Sequence, residues 1–149
     1  MKNFIKIAPL ALALIIAPNA HANNNQKIAF VKKMYAEQKQ KQGQHFTVAI
    51  QKYGTTEFKQ ALRYANNMAK ILDGACYDAD PFFSSSDPDY NAKISYSVNA
   101  QGNVVAHIAS RMHHSHSQST FVLVKSGKGY KLADIYAGGA SFKQELVSC

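Results

Sequence analysis

Apolar residues recur at helical spacing through the first half of the chain and alternate with polar residues through the second. Ile28, Val31 and Tyr35, widened by Phe30 and Met34, fall on one helical face, and residues 37–44 then carry no apolar side chain, as in a solvated extension of that helix. Phe46, Ile50 and Tyr53 share one face of a second, short helix over residues 45–53 that Gly54 would stop, although Phe46, Val48 and Ile50 also alternate as a strand would. Thr55 is placed to cap a third helix, in which Phe58, Leu62, Ala65, Ala69 and Leu72 recur every three or four positions and Gly74 follows the last turn. Tyr64, Met68 and Ile71 widen that stripe, so this helix is expected to be heavily buried and its apolar face to be core.

Beyond residue 90 the period falls to two. KISYSVN, NVVAHIASRM, STFVLVK and YKLADIY are β-rich runs, separated by NAQG, by a polar His-Ser segment and by SGKG. The separators read as hairpins of one antiparallel sheet, and a short final helix over residues 141–147 is expected after Gly138 and Gly139. Helices first and meandering strands second make an α+β domain, with N-terminal helices packed on one sheet.

The ends of the chain place it in a compartment. Lys2 and Lys6, an apolar stretch over residues 7–16 and the Ala20-His21-Ala22 cleavage pattern form a secretory signal, which leaves a single mature domain over residues 23–149. That stretch is too short to span a bilayer and Asn23 is not Cys, so neither membrane insertion nor a lipoprotein anchor is expected after cleavage. Cys76 and Cys149, exported together, are expected to pair as a disulfide. Without Lys2 and Lys6 the 17 cationic residues fall to 15 against 9 acidic ones, and this charge of +6 favours acidic partners. It is spread along the chain with no compact basic motif, so nucleic acid is not an expected partner.

Four of the nine acidic residues crowd into DADPFFSSSDPDY at residues 78–90. Asp78, Asp80, Asp87 and Asp89 offer the oxygens calcium needs, but Pro81 breaks the spacing of a calcium loop. Asp80-Pro81 and Asp87-Pro88 fit turns, where proline fixes φ and aspartate bonds nearby backbone N–H groups, and Phe82 and Phe83 fit core anchors. The structural turn is the favoured reading, with Asp80, Pro81 and Phe82 at its centre.

The run TTEFKQALRYANNMAKILDGACYDADPFF, followed by a sheet ending in GYKLADIY and a short helix, resembles the exported bacterial domain of unknown function 3828 family, which is similar to the nuclear transport factor 2-like superfamily. The resemblance is carried by Thr55, Phe58 and Leu62, by Asp80-Pro81-Phe82, and by Tyr130, Leu132, Asp134 and Ile135, with Tyr130 where relatives tend to carry Trp. It covers most of residues 26–147. It implies a cone-shaped α+β domain whose curved sheet wraps the helices around a cavity, and it implies no particular activity.

Chemistry has few places to sit. His107 and Asp134 each interrupt an apolar β-run and could form an acid–base pair inside such a cavity, with Tyr96 or Tyr136. His114 and His116, two apart in an extended chain, could point the same way and hold Zn²⁺, Cu²⁺ or Ni²⁺, with His113 beside them. Neither set has a motif around it, and both fit ordinary hydrogen-bonded or solvated residues, so no cofactor is expected. The reading is therefore a periplasmic or secreted, non-enzymatic binding domain with a protein partner, for instance an immunity protein against a toxin that acts in the periplasm. The alternatives are a small-ligand-binding or enzymatic cavity, and metal binding by the His-rich hairpin.

Overall fold

The computed structural model describes residues 19–40 and 46–149. Residues 1–18 of the expected signal segment, and residues 41–45 at the end of the polar extension with His45, lie outside the described residues, and residues 19–22 of that segment are the first turn of a helix. Three helices, α1 (Asn19–Gln40), α2 (Phe46–Tyr53) and α3 (Thr56–Leu72), precede the strands β1 (Lys93–Val98), β2 (Val104–Ser110), β3 (Ser115–Ser126), β4 (Gly129–Ala137) and β5 (Ala140–Ser141), and α4 (Phe142–Val147) ends the chain. The strands form one open antiparallel sheet in the order β1-β2-β3-β4-β5. No helix among the described residues is long and apolar enough to cross a membrane.

Local chemistry sets the helix ends. Gly54 stops α2: its N–H donates to the Ile50 carbonyl, and a β-carbon there would lie 2.5 Å from that oxygen. The next residue, Thr55, donates its N–H to the Leu132 carbonyl of β4 and accepts from Phe58 N–H through its hydroxyl at 3.2 Å, so one residue both ties α3 to the sheet and caps it. At the other end the left-handed position is Asp73 (φ 51°), one residue before the expected Gly74; both N–H groups turn back to the Ala69 carbonyl. α1 and α2 are joined through Glu37, which pairs with Lys52 at 3.0 Å and accepts from the Tyr53 hydroxyl at 2.6 Å.

The polar extension of α1 is not wholly solvated. Gln38 shares the stripe of Val31, Met34 and Tyr35 and is buried with them, and among the described residues its side-chain amide has no hydrogen-bond partner.

The inner face of the sheet is shaped by small residues. Ala106 of β2 and Ser119 of β3 are paired, both fully buried, and leave a hollow that side chains from their own strands do not fill. The 78–90 loop fills it from outside the sheet: Ser119 Oγ donates to the Pro81 carbonyl at 2.7 Å, Ser117 Oγ to the Phe83 carbonyl at 2.8 Å, and the Tyr35 hydroxyl to the Phe82 carbonyl. Phe82 then packs edge-on against Tyr35 and Phe121 at ring separations of 5.5 and 5.1 Å. Further along β3 and β4 the register shifts between Val122 and Leu123, a bulge that bends the strands locally.

At the far end, Cys76 and Cys149 form a disulfide with Cα atoms 5.4 Å apart, joining the segment after α3 to the residue that follows α4. α4 itself buries Phe142 and Leu146.

Candidate functional site

The four loop carboxylates do not converge. Asp80 turns inward, where its Oδ1 accepts Phe82 N–H at 2.8 Å and its backbone N–H donates to the Ser85 carbonyl. Asp89 turns to the next hairpin, where Oδ2 accepts from Ser110 Oγ, Arg111 N–H and Met112 N–H and Oδ1 accepts Asn91 N–H. Asp87 faces His113, 3.5 Å from its Nε2, and Asp78 is exposed. Among the described residues no three His, Cys, Asp or Glu side chains are grouped to hold a metal ion. The loop has the geometry of two linked turns that carry phenylalanines into the core.

Burial pushes the Asp80 carboxyl up to about 6, against the opposing bonds from Phe82 and Phe83 N–H. Because the folded-state value lies above the unfolded one of 3.8, Asp80 contributes stability that is fully present below pH 4 and lost as pH rises through 6. The loss amounts to about 3 kcal/mol at 1.36 kcal/mol per unit. Asp80→Asn keeps the acceptor for Phe82 N–H without the charge. Urea denaturation from pH 4 to pH 7.5 is expected to show the variant drawing level near pH 4 and exceeding the wild type by about that amount at pH 7.5; a pH-independent difference would contradict this.

The histidines are redistributed relative to their spacing in sequence. His114 sits in the tight turn at residues 111–114 with φ 48°, so it does not form an extended pair with His116. β3 begins at Ser115, four residues before the β-rich run STFVLVK, because Ser117 and Ser119 point inward to hold the acidic loop. His116 instead lies on the outer face, diagonal to His107, and the two line a shallow groove of about 450 Å³ with Lys93, Ser95 and Gln118. His107 Nε2 is 3.0 Å from Ser97 Oγ, and no carboxylate lines the groove.

Asp134 is elsewhere. It lies four residues along β3 and two strand ladders from His107, on the order of 15 Å away. Buried at the start of α4, it accepts from Ser141 Oγ at 2.5 Å and from Lys143 N–H at 2.9 Å, while Ser141 Oγ accepts Gln144 N–H as the cap. The carboxylate thus satisfies the end of a helix and orients its capping serine. Tyr136 is on the outer face opposite Thr120, and Tyr96 is on the inner face against Tyr35. The four residues considered for cavity chemistry are therefore distributed over three strands and do not converge on one cavity.

The surface that departs most from expectation is on α3. Phe58, Ala61, Leu62 and Ala65 are buried, but the stripe continues past the core: Tyr64 is 46%, Ile71 73% and Leu72 58% exposed. A helix of 17 residues is about 25 Å long. The α4 that packs beside it has only six residues, and the segment after α3 folds back only as far as Asn66, whose Oδ1 accepts from the Tyr77 hydroxyl at 3.3 Å, so Ile71 and Leu72 in the last turn stay exposed. Val147 of α4, 45% exposed, meets Tyr64 across a groove that Glu57, Gln60 and Lys143 also line. On the two helices Lys59, Arg63, Lys70 and Lys143 outnumber Glu57 and Glu145, with Asp73 at the end of α3 and Asp78 near Glu145 adding negative charge at the outer end. The result is an apolar stripe on a basic helix pair, fixed at its outer end by the Cys76–Cys149 bond. Comparison with known proteins returned no matching family model, curated protein or solved structure.

Proposed function

We propose that the chain is an exported, periplasmic, non-enzymatic domain that binds an acidic protein partner through the α3–α4 surface. The observation that carries this reading is the exposure of Tyr64, Ile71, Leu72 and Val147 in one run. Large apolar side chains scattered singly need no explanation, whereas a contiguous stripe rimmed by polar groups marks an interaction surface. The surrounding lysines and arginine favour encounter with a negatively charged surface, and a tyrosine with flanking aliphatics supplies the anchors that contribute most to binding. The disulfide is compatible with export into an oxidising compartment. An immunity protein that blocks a toxin acting in the periplasm is one such partner relationship, and an acidic toxin would suit the charge.

The same proposal takes the architecture as a cone-shaped, nuclear transport factor 2-like one. Helices before a bulged antiparallel sheet support it. On that reading the interior of the cone is the space where Phe82, Phe121 and Tyr35 pack together, which favours a partner-binding role over chemistry in the interior.

Affinity capture with the mature chain, run beside the Ile71→Glu/Leu72→Glu variant, tests the reading. Both positions are exposed, so the double variant is expected to melt near the wild type. It should retain a stoichiometric partner at least about tenfold less well, since two carboxylates would be buried unpaired and repelled by an acidic surface. Equal retention by the two proteins would sink the assignment of this surface.

A further inference from the structure

We propose that the cleft between α1 and the β1 edge binds a small aryl anion, a single aromatic ring bearing a carboxylate or sulfonate. The cleft is open to solvent along one side and has a volume of about 300 Å³, at the lower end of the range for ligand sites and suited to one ring. One wall is α1, which presents Lys32, Ala36 and Lys39 at i, i+4 and i+7. The other is made by Tyr90 and by Ile94 and Tyr96 of β1, with Ala92 beneath.

Three features select the ligand. The first is an uncompensated positive charge. Lys32 and Lys39 make no ion pair among the described residues, and no carboxylate lines the cleft. Glu37, the acid nearest them in sequence, is held by Lys52 and Tyr53 of α2. Lys32 is poised rather than free, with its Nζ 5.4 Å from the centre of the Tyr96 ring. The second is a set of fixed aromatic walls. Tyr96 packs against Tyr35 at 6.0 Å and Tyr90 against Phe83 at 5.2 Å, so an entering ring meets surfaces already in place and little order has to be created on binding.

The third is a pair of unused donors. The Tyr35 hydroxyl is engaged by the Phe82 carbonyl, but the hydroxyls of Tyr90 and Tyr96 have no hydrogen-bond partner among the described residues. Burial raises both phenols, Tyr96 to about 12, and at Tyr90 the buried Asp80 carboxyl behind the wall adds to the rise, so both remain neutral donors for an anion. Two ammonium groups at the rim, two phenol donors within and aromatic walls together match a negatively charged ring better than a bare anion or a neutral ring. The cleft shares no residue with the α3–α4 surface, so this inference and the partner reading are independent.

Titration of the ¹⁵N-labelled mature chain with benzoate and benzenesulfonate, followed by amide chemical shifts, tests it. Both probes are expected to move the Ala36, Ala92 and Ile94 amides with a dissociation constant on the order of 1 mM or below, as befits ligands this small. Lys32→Gln/Lys39→Gln, at two exposed positions, should weaken binding at least about tenfold, and Tyr96→Ala should do the same. Inorganic sulfate binding as strongly at these amides would reveal an anion spot without ring recognition, and benzamide binding as strongly as benzoate would reveal an apolar spot without charge recognition. Either result, or unchanged affinity in the lysine variant, overturns the proposal.

Discussion

Replacing Cys76 and Cys149 together by serine is expected to cost about 4 kcal/mol of stability on the chain-entropy model for a bond that spans 73 residues. Domains of this size have about 5–15 kcal/mol in all, so the loss takes a large share of the total. In a thermal scan it should appear as a fall in melting temperature on the order of 15 °C. The wild type treated with reductant should fall by the same amount, because the bond and not the sulfur atoms is at issue. The effect has a location too. Asp134, Ser141 and Lys143 hold the start of α4 whether or not the bond is present, whereas Cys149 is the tether at its end. Amides in the last turn of α4 are therefore expected to exchange faster in the serine variant under conditions where those of β2 and β3 remain protected. A fall of less than about 3 °C would show that packing of Phe142 and Leu146 is sufficient without the cross-link.

The same tether bears on binding. Val147 forms one wall of the α3–α4 groove two residues before the bond. An oxidised chain presents that wall fixed against Tyr64, and a reduced one presents it on a frayed helix end, where ordering it costs part of the binding energy. Partner affinity and disulfide state should thus move together in one capture experiment.

Much of this architecture is legible in the residues. The helical stripe from Phe58, the Thr55 cap, the Gly54 stop, the strand runs and the pairing of the only two cysteines all follow from local rules, and the structure has each of them. What periodicity cannot give is what covers a face. Tyr64 and Ile71, seven residues apart on one side of the Phe58–Leu62–Ala65 line, widen the stripe beyond what the core covers, and α4 lies along the groove beside Tyr64 without closing it. Gln38 shows the converse: its polar side chain and polar neighbours read as solvated, and its place on the Met34–Tyr35 face buries it.

The sites follow the same division. Pairing His107 with Asp134 needs the register of three strands, which sets them four residues apart along β3 and on opposite sides of it, and the His114–His116 pair fails on a single left-handed turn. The cleft tyrosines and lysines lie some sixty residues apart in the chain and belong to no motif. A clue was nonetheless available in Lys32, Ala36 and Lys39, whose helical spacing marks a basic edge with a small residue at its centre.

Phe82→Ala is expected to cost about 3–5 kcal/mol, comparable to the disulfide. The side chain is fully buried between Tyr35 and Phe121, and the hollow it fills is lined by Ala106 and Ser119, whose short side chains cannot reach across the space left behind. Collapse is further resisted because the backbone on either side is fixed: Phe82 N–H is held by Asp80, its carbonyl by Tyr35, and the Pro81 carbonyl by Ser119. The cavity term therefore adds to the transfer term with little relief. Phe82→Leu, which retains most of the apolar volume, should lose only a fraction of this, and urea midpoints of the two variants at one pH provide the comparison. An alanine variant within about 1 kcal/mol of the wild type would mean that the acidic loop can leave the sheet without consequence. The large loss expected here instead makes the loop a structural cover: its prolines and aspartates serve to turn the chain twice so that Phe82 and Phe83 reach a hollow no strand residue fills.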